Sequence, residues 1–169
     1  MSFNISNNLW KVFYQMKLQV GEKAPNFKLK NQFNKDIELK DFLGSNVLVY
    51  FYPADFTPHC TSQACNLRNN FEKLTNQDIK ILGISTDSPE KHLEFIREYD
   101  LPFDLLSDDK GDVSNLYDSL SEPKLLGLTF GKYSKRNSFL ISKDGLILKI
   151  MEDVDPQTHA YEIIHFCEK

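Results

Sequence analysis

A chain of 169 residues that is 41% hydrophobic and 26% charged can bury a full core as one domain, without metals or covalent staples. Its formal net charge of −4 argues against nucleic acid or an anionic membrane as partner, and no apolar run approaches the ~20 residues of a membrane span. Three cysteines make no disulfide-scaffold pattern, which points to a reducing, cytoplasmic compartment and to thiols kept for reactivity.

Residues 1–17 lack a basic start followed by an apolar stretch and a cleavage site, so a secretory leader is not expected. Leu9, Trp10, Val12, Phe13 and Met16 fit one face of a short helix. A docked arm, a dimer contact and an upstream start codon, with the usual start near Met16, all remain open for this extension. No catalytic role is expected of it, and residues 18–169 are taken as the domain. Phe27–Lys30 and Asp36–Leu39 alternate around Asn31-Gln-Phe-Asn34 and predict a hairpin. Asn46–Tyr52 is a continuous apolar run with the β-branched character of a buried parallel strand. A helix follows from Pro58 to about Thr75, then a second buried strand over Ile79–Ser85. Ser88-Pro-Glu90 opens a helix through Tyr99, with Ser88 as cap and Pro at the first position. Phe103–Leu106 predicts a short strand and Asp112–Leu120 a short helix. Arg136–Ser142 and Leu146–Met151 flank Lys143-Asp-Gly145, a strong hairpin turn. Pro156–Glu168 closes the chain as a helix. Two β-α-β units followed by a hairpin and a helix predict an α/β, thioredoxin-like fold: a mixed central sheet with helices on both faces.

The chemistry centres on Phe51-Tyr-Pro-Ala-Asp-Phe-Thr-Pro-His-Cys-Thr-Ser-Gln-Ala-Cys65. Thr57 reads as an N-cap and Pro58 as the first helical residue, which puts Cys60 at the third helical position. There the unpaired backbone N–H groups and the positive end of the helix dipole favour a thiolate. The helix start falls at the carboxyl end of a central strand, where open α/β sheets hold their sites. Cys65 lies five residues on, ~7.5 Å along the axis and turned by roughly 140°. A disulfide wants Cα atoms about 4.4–6.8 Å apart, so an intact helix is too stretched for a Cys60–Cys65 bond. The pair therefore predicts a two-state element, a helix with two thiols or a frayed turn with a disulfide. Zinc is disfavoured because no second close pair of ligands joins His59, Cys60 and Cys65. Four residues between the thiols also depart from the Cys-x-x-Cys of a disulfide reductase.

Pro53-x-x-x-Thr57-x-x-Cys60, with a cysteine five residues on, resembles the signature of the peroxiredoxins, in particular the Q-type or bacterioferritin comigratory branch. The resemblance runs from about Val20 to the C-terminus and implies the thioredoxin-like fold and a thiol-dependent peroxidase. It implies that Cys60 attacks hydrogen peroxide or an organic hydroperoxide and that Cys65 resolves the sulfenic acid. Thioredoxin or a similar dithiol would recycle the disulfide, with no metal, flavin or haem. A monomer is expected, with a dimer as the alternative. Arg136 resembles the family's strand arginine and would serve both the thiolate and a peroxide oxygen; otherwise it is one surface charge beside Lys132 and Lys135. The matching threonine, Thr57, is assigned to substrate in the family, although helix capping alone would explain it. Pro53 would shape and dry the pocket, or merely end the strand.

Gln63, one turn beyond Cys60, could orient Arg136, where many relatives carry Glu. His59 replaces the usual Gly and is expected at the surface. Cys167 lacks the Val-Cys-Pro context of a C-terminal resolving thiol, and His92 and His165 have no assignable partners. Two other classes stay open: a non-enzymatic redox sensor or holdase, and an inactive thioredoxin-fold interaction protein.

Overall fold

In the computed structural model, which describes residues 17–169, the first two strands are β1 (Lys28–Asn31) and β2 (Asp36–Glu38). They are followed by β3 (Asn46–Phe51), α1 (Pro58–Asn69), α2 (Phe71–Asn76), β4 (Ile79–Ser85), α3 (Pro89–Tyr99), β5 (Asp104–Ser107) and α4 (Asp112–Leu116). Four two-residue strands come next: β6 (Leu120–Ser121), β7 (Lys124–Leu125), β8 (Leu128–Thr129) and β9 (Tyr133–Ser134). The chain ends with β10 (Ser138–Ile141), β11 (Ile147–Met151) and α5 (His159–Cys167). The N-terminal extension, Lys17 apart, lies outside the described residues.

Seven strands form one mixed sheet in the order β11-β10-β3-β4-β5-β1-β2. The central β3, β4 and β5 are parallel, and the flanking pairs are antiparallel. Central strands are covered on both sides, which is why Asn46–Phe51 reads as an unbroken apolar run rather than an alternating one. Leu48, Tyr50 and Tyr52 face one core with α1, α2, α3 and α5. Val47, Val49 and Phe51 face the other, with α4 and a single 3-10 turn at Leu39–Phe42. The layout is thioredoxin-like, with the helices divided unevenly between the faces. Gly83 stands opposite Tyr50 on β4, and a Cβ there would come within 2.8 Å of the Tyr50 ring and 2.6 Å of Leu105. Glycine is what lets that ring lie across the sheet.

The helix expected from Pro58 to Thr75 is broken at Asn70, whose φ of −109° and ψ of 12° end α1 and start α2. The Asn70 side chain donates to Asn66 O at 2.9 Å, the local competition with helical bonding that makes Asn a poor interior residue. The helix expected over Asp112–Leu120 stops at Leu116, and Asp118 takes a left-handed φ of 54°. Arg136 precedes the strand it was expected to begin, and Asn137 O receives Phe51 N just before the β10 ladder opens. The β7–β8 hairpin was not foreseen. It carries Leu125, Leu126 and Leu128 to solvent, a period and composition that do not announce a half-buried strand.

Candidate active site

Strand β3 delivers the chain to Tyr52 at the carboxyl edge of the sheet, and the loop Pro53–Phe56 turns it into α1. Three bonds hold Asp55 in that loop. Its backbone N–H donates to Asp87 Oδ2 at 2.7 Å, the Tyr52 hydroxyl donates to Oδ1 at 2.6 Å, and His92 Nδ1 meets Oδ2 at 2.7 Å. Asp55 and His92 are both buried. His92 Nε2 lies 3.2 Å from Leu106 O, so the ring spans from the loop to the end of β5. Burial, then the Asp55 charge, push the Tyr52 hydroxyl well above its ordinary range and keep it a donor. This buried set ties the loop to α3 and β5. It also holds Phe56 at a φ of 65°, a costly conformation for an aromatic residue, with its ring edge-on to Phe95.

Thr57 has the extended backbone of an N-cap, and its carbonyl accepts Thr61 N at 2.9 Å. Its side chain does not cap. The hydroxyl donates to Ala54 O at 3.0 Å instead, a correction to the capping reading. With its proton used there, Thr57 Oγ1 can only accept, which suits a hydroperoxide O–H and not a thiolate. Pro58 is at the first helical position, and Cys60 follows at the third, 2% exposed. Beside it a depression of about 410 Å³ is lined by Pro53, Thr57, Pro58, His59 and Arg136. His59 is exposed, as expected, with its ring on the rim.

Arg136 reaches this helix start from 76 residues away in the chain: Nη2 donates to Cys60 Sγ at 3.3 Å and Nη1 to Gln63 Oε1 at 2.7 Å. The site thus has a thiol at a helix N-terminus, a permanent cation on its sulfur, and an acceptor and an apolar wall beside it. Gln63 is fully buried and meets His159 Nδ1 at 3.1 Å. Burial, then the Arg136 charge, push His159 down to about 3. Cys65 is a half-buried free thiol on α1. Cys167 is exposed at the end of α5 with its thiol pushed up by partial burial, and His165 stacks on Tyr161, both apart from this cluster. Cys60, Thr57, Pro53 and Arg136 are therefore brought together, while Cys65 is on the same helix and not in the pocket.

Sequence reasoning missed Asp55, His92 and His159. Each had a signal: Asp55 lies inside the motif, and His92 shares a helical stripe with Phe95 and Tyr99, where a polar residue needs a buried partner. His159 likewise shares the buried face of α5 with Ala160 and Ile163.

A thioredoxin-like sheet with an arginine-paired thiol at a helix start defines a thiol-dependent oxidoreductase. Residues 20–150 match the AhpC/TSA family, and the chain belongs to that family. It is 39% identical over 152 residues to peroxiredoxin Bcp of Escherichia coli K12, covering 90% of this chain and 97% of that protein. It is 46% identical over 134 residues to a putative Bcp peroxiredoxin of Buchnera aphidicola, covering 79% of this chain and 84% of that one. Among solved structures, peroxidoxin BcpB of Mycobacterium tuberculosis superposes with a TM-score of 0.80 at 27% identity, over 89% of this chain and 97% of that one. The family consists of thiol-dependent peroxidases, which use a thiol reductant to reduce peroxides, and this chain is one of them. No helix among the described residues is long and apolar enough to cross a membrane.

Proposed function

We propose that Cys60 is the thiolate that attacks peroxide and Cys65 the thiol that resolves it. The Cys60 sulfur attacks the distal oxygen of ROOH: an S–O bond forms as the O–O bond breaks, sulfur is oxidised to sulfenic acid, and RO⁻ leaves and is protonated to alcohol or water. Thr57 Oγ1 accepts from the peroxide O–H, and Arg136 balances the charge first on sulfur and then on the leaving oxygen. Pro53 keeps water from the reacting atoms. The first turn of α1 then opens, Cys65 attacks the sulfenic sulfur, and a Cys60–Cys65 disulfide forms with loss of water. A dithiol, which we take to be thioredoxin, restores both thiols by exchange. We take the protein to work in the cytoplasm as a monomer.

The observation that carries this reading is the 3.3 Å approach of Arg136 Nη2 to Cys60 Sγ at the start of α1. Peroxide consumption with thioredoxin, thioredoxin reductase and NADPH tests it, each component being omitted in turn. Turnover is expected only with all of them present, and Cys60→Ser is expected to abolish it, since a hydroxyl without a strong base is a poor nucleophile toward an O–O bond. Stoichiometric oxidation without turnover under any dithiol would instead favour a redox sensor. Near-normal turnover in Cys60→Ser would move the reaction to another thiol.

A further inference from the structure

The guanidinium of Arg136 has only donors, so the Gln63 oxygen that receives Nη1 at 2.7 Å must be the carbonyl. The Gln63 NH₂ group is then the atom pair facing His159, 3.1 Å from Nδ1. For that contact to be a hydrogen bond, Nδ1 must present its lone pair. The ring proton of a neutral imidazole must accordingly sit on Nε2, and that atom is buried with no partner among the described residues. An apolar side chain would fill this site without an orphan N–H, which is costly to bury. What the imidazole offers in return is the acceptor at Nδ1.

The backbone around this acceptor is fixed. His159 is the first residue of α5, and Asn66 of α1 clamps the same turn, donating to Gln157 O at 2.8 Å and accepting Ala160 N at 2.8 Å. Gln63 and Asn66 are one turn apart on α1, so both grip the start of α5. The ring of Tyr50 meets the imidazole edge-on and limits its rotation. Gln63 and His159 are both fully buried, so no water competes for the amide.

We propose that His159 is a positioning residue for peroxide reduction: it fixes the orientation of the Gln63 amide, which in turn holds the Arg136 guanidinium against Cys60 Sγ. The proposal rests on the reading of Cys60 and Arg136 given above. Without the Nδ1 acceptor the amide keeps only its bond to Arg136, its NH₂ group is left buried without a partner, and it shifts to find one, drawing the guanidinium away from the sulfur. Displacement of a charge-stabilising group by about 1 Å costs on the order of 10²-fold in rate.

The test uses the full-length reduced enzyme, with the rate of a single turnover with hydrogen peroxide as readout. His159→Leu removes the acceptor, whereas His159→Asn keeps one, since Asn Oδ1 occupies the place of Nδ1. We expect His159→Leu to be slower by ~10-fold or more and His159→Asn to stay within about threefold of wild type. Both are measured well below their own melting temperatures. Equal rates in His159→Leu and wild type, or equal slowing in both variants, would overturn the proposal. A second measurement needs no variant: ¹⁵N shifts of the wild-type imidazole should show a neutral ring protonated at Nε2, and a proton on Nδ1 would also overturn it. Cys60→Ser separates the two levels. If it still reduces peroxide, the reading of Cys60 fails and this inference with it; if it is inert while His159→Leu is unaffected, only the role of His159 fails.

Discussion

At the scale of single residues, the thiol is surrounded by groups whose hydrogen-bonding options have been reduced to one each. Arg136 can only donate, Thr57 has used its proton on Ala54 O, and Gln63 is held with its carbonyl toward Arg136. In the proposed reaction nothing in the pocket would need to reorganise as charge moves from sulfur to the leaving oxygen, the arrangement in which fixed donors contribute most. Arg136→Met should therefore slow the first turnover by roughly 10²–10³-fold, about 3–4 kcal/mol, the usual loss for one preorganised donor. The denaturation midpoint should hardly change, because the guanidinium is only partly buried. A normal rate would return Arg136 to the role of a surface charge.

His159 gives a second residue-scale expectation, this time for stability. Its folded value of about 3 lies below the ordinary 6.5. As pH falls through 6.5 the unfolded chain takes up a proton there, while the folded chain does not until about 3. The unfolded state thus binds more protons in this window, and stability falls on acidification by at most about 1.4 kcal/mol per pH unit from this group. Between pH 7 and pH 5, His159→Asn should lose roughly 2 kcal/mol less than wild type in chemical denaturation. Equal losses would mean that the folded protein protonates the ring.

At the scale of elements, α1 is fastened unevenly. Gln63 and Asn66 grip α5, and the loop before the helix is pinned through Asp55, but the turn between them, Pro58–Ser62, holds to the rest mainly through Cys60 and Arg136. In the proposed cycle, oxidation of Cys60 to sulfenic acid would remove the charge that Arg136 balances and release the one turn that would have to melt for Cys65 to reach it. Amides from His59 to about Asn66 should exchange with deuterium faster in the disulfide form than in the dithiol form, with β3 and the Asp55 loop unchanged. A Cys60–Cys65 cross-link with unaltered protection would sink the helix-melting account.

The elements were legible in the sequence where local chemistry decides them. Ser88 caps α3 as its motif requires, accepting Lys91 N, and the Asp-Gly turn joins β10 to β11. They were illegible where a side chain competes with its own helix, as at Asn70. The partners of His92 and His159 were illegible too, because they lie 37 and 96 residues away and only the sheet brings them near.

At the scale of the whole molecule, the site is assembled by the sheet. β3 carries the thiol loop, β10 follows Arg136, and α5 returns across the same face to supply His159. The chain is fastened from Leu18 onward: Leu18 N donates to Asp118, Gly21 N to Ile147 O and Ala24 N to Gly145 O, and Lys17 pairs with Glu152. Every group named in the site, and every core side chain among the described residues, falls within residues 18–169. A chain begun at Met16 should accordingly keep the fold, the first-turnover rate within about twofold, and a melting temperature within a few degrees, since losing less than ~1 kcal/mol shifts a domain of this size by that amount. The three readings of the extension then separate by measurement. Loss of more than about 2 kcal/mol, well beyond the usual effect of surface changes, would make it a docked arm. A fall from dimer to monomer in light scattering would make it a dimer contact, and so overturn the expectation of a monomer. Native protein whose intact mass begins at Met16 would make it an untranslated stretch upstream of the true start.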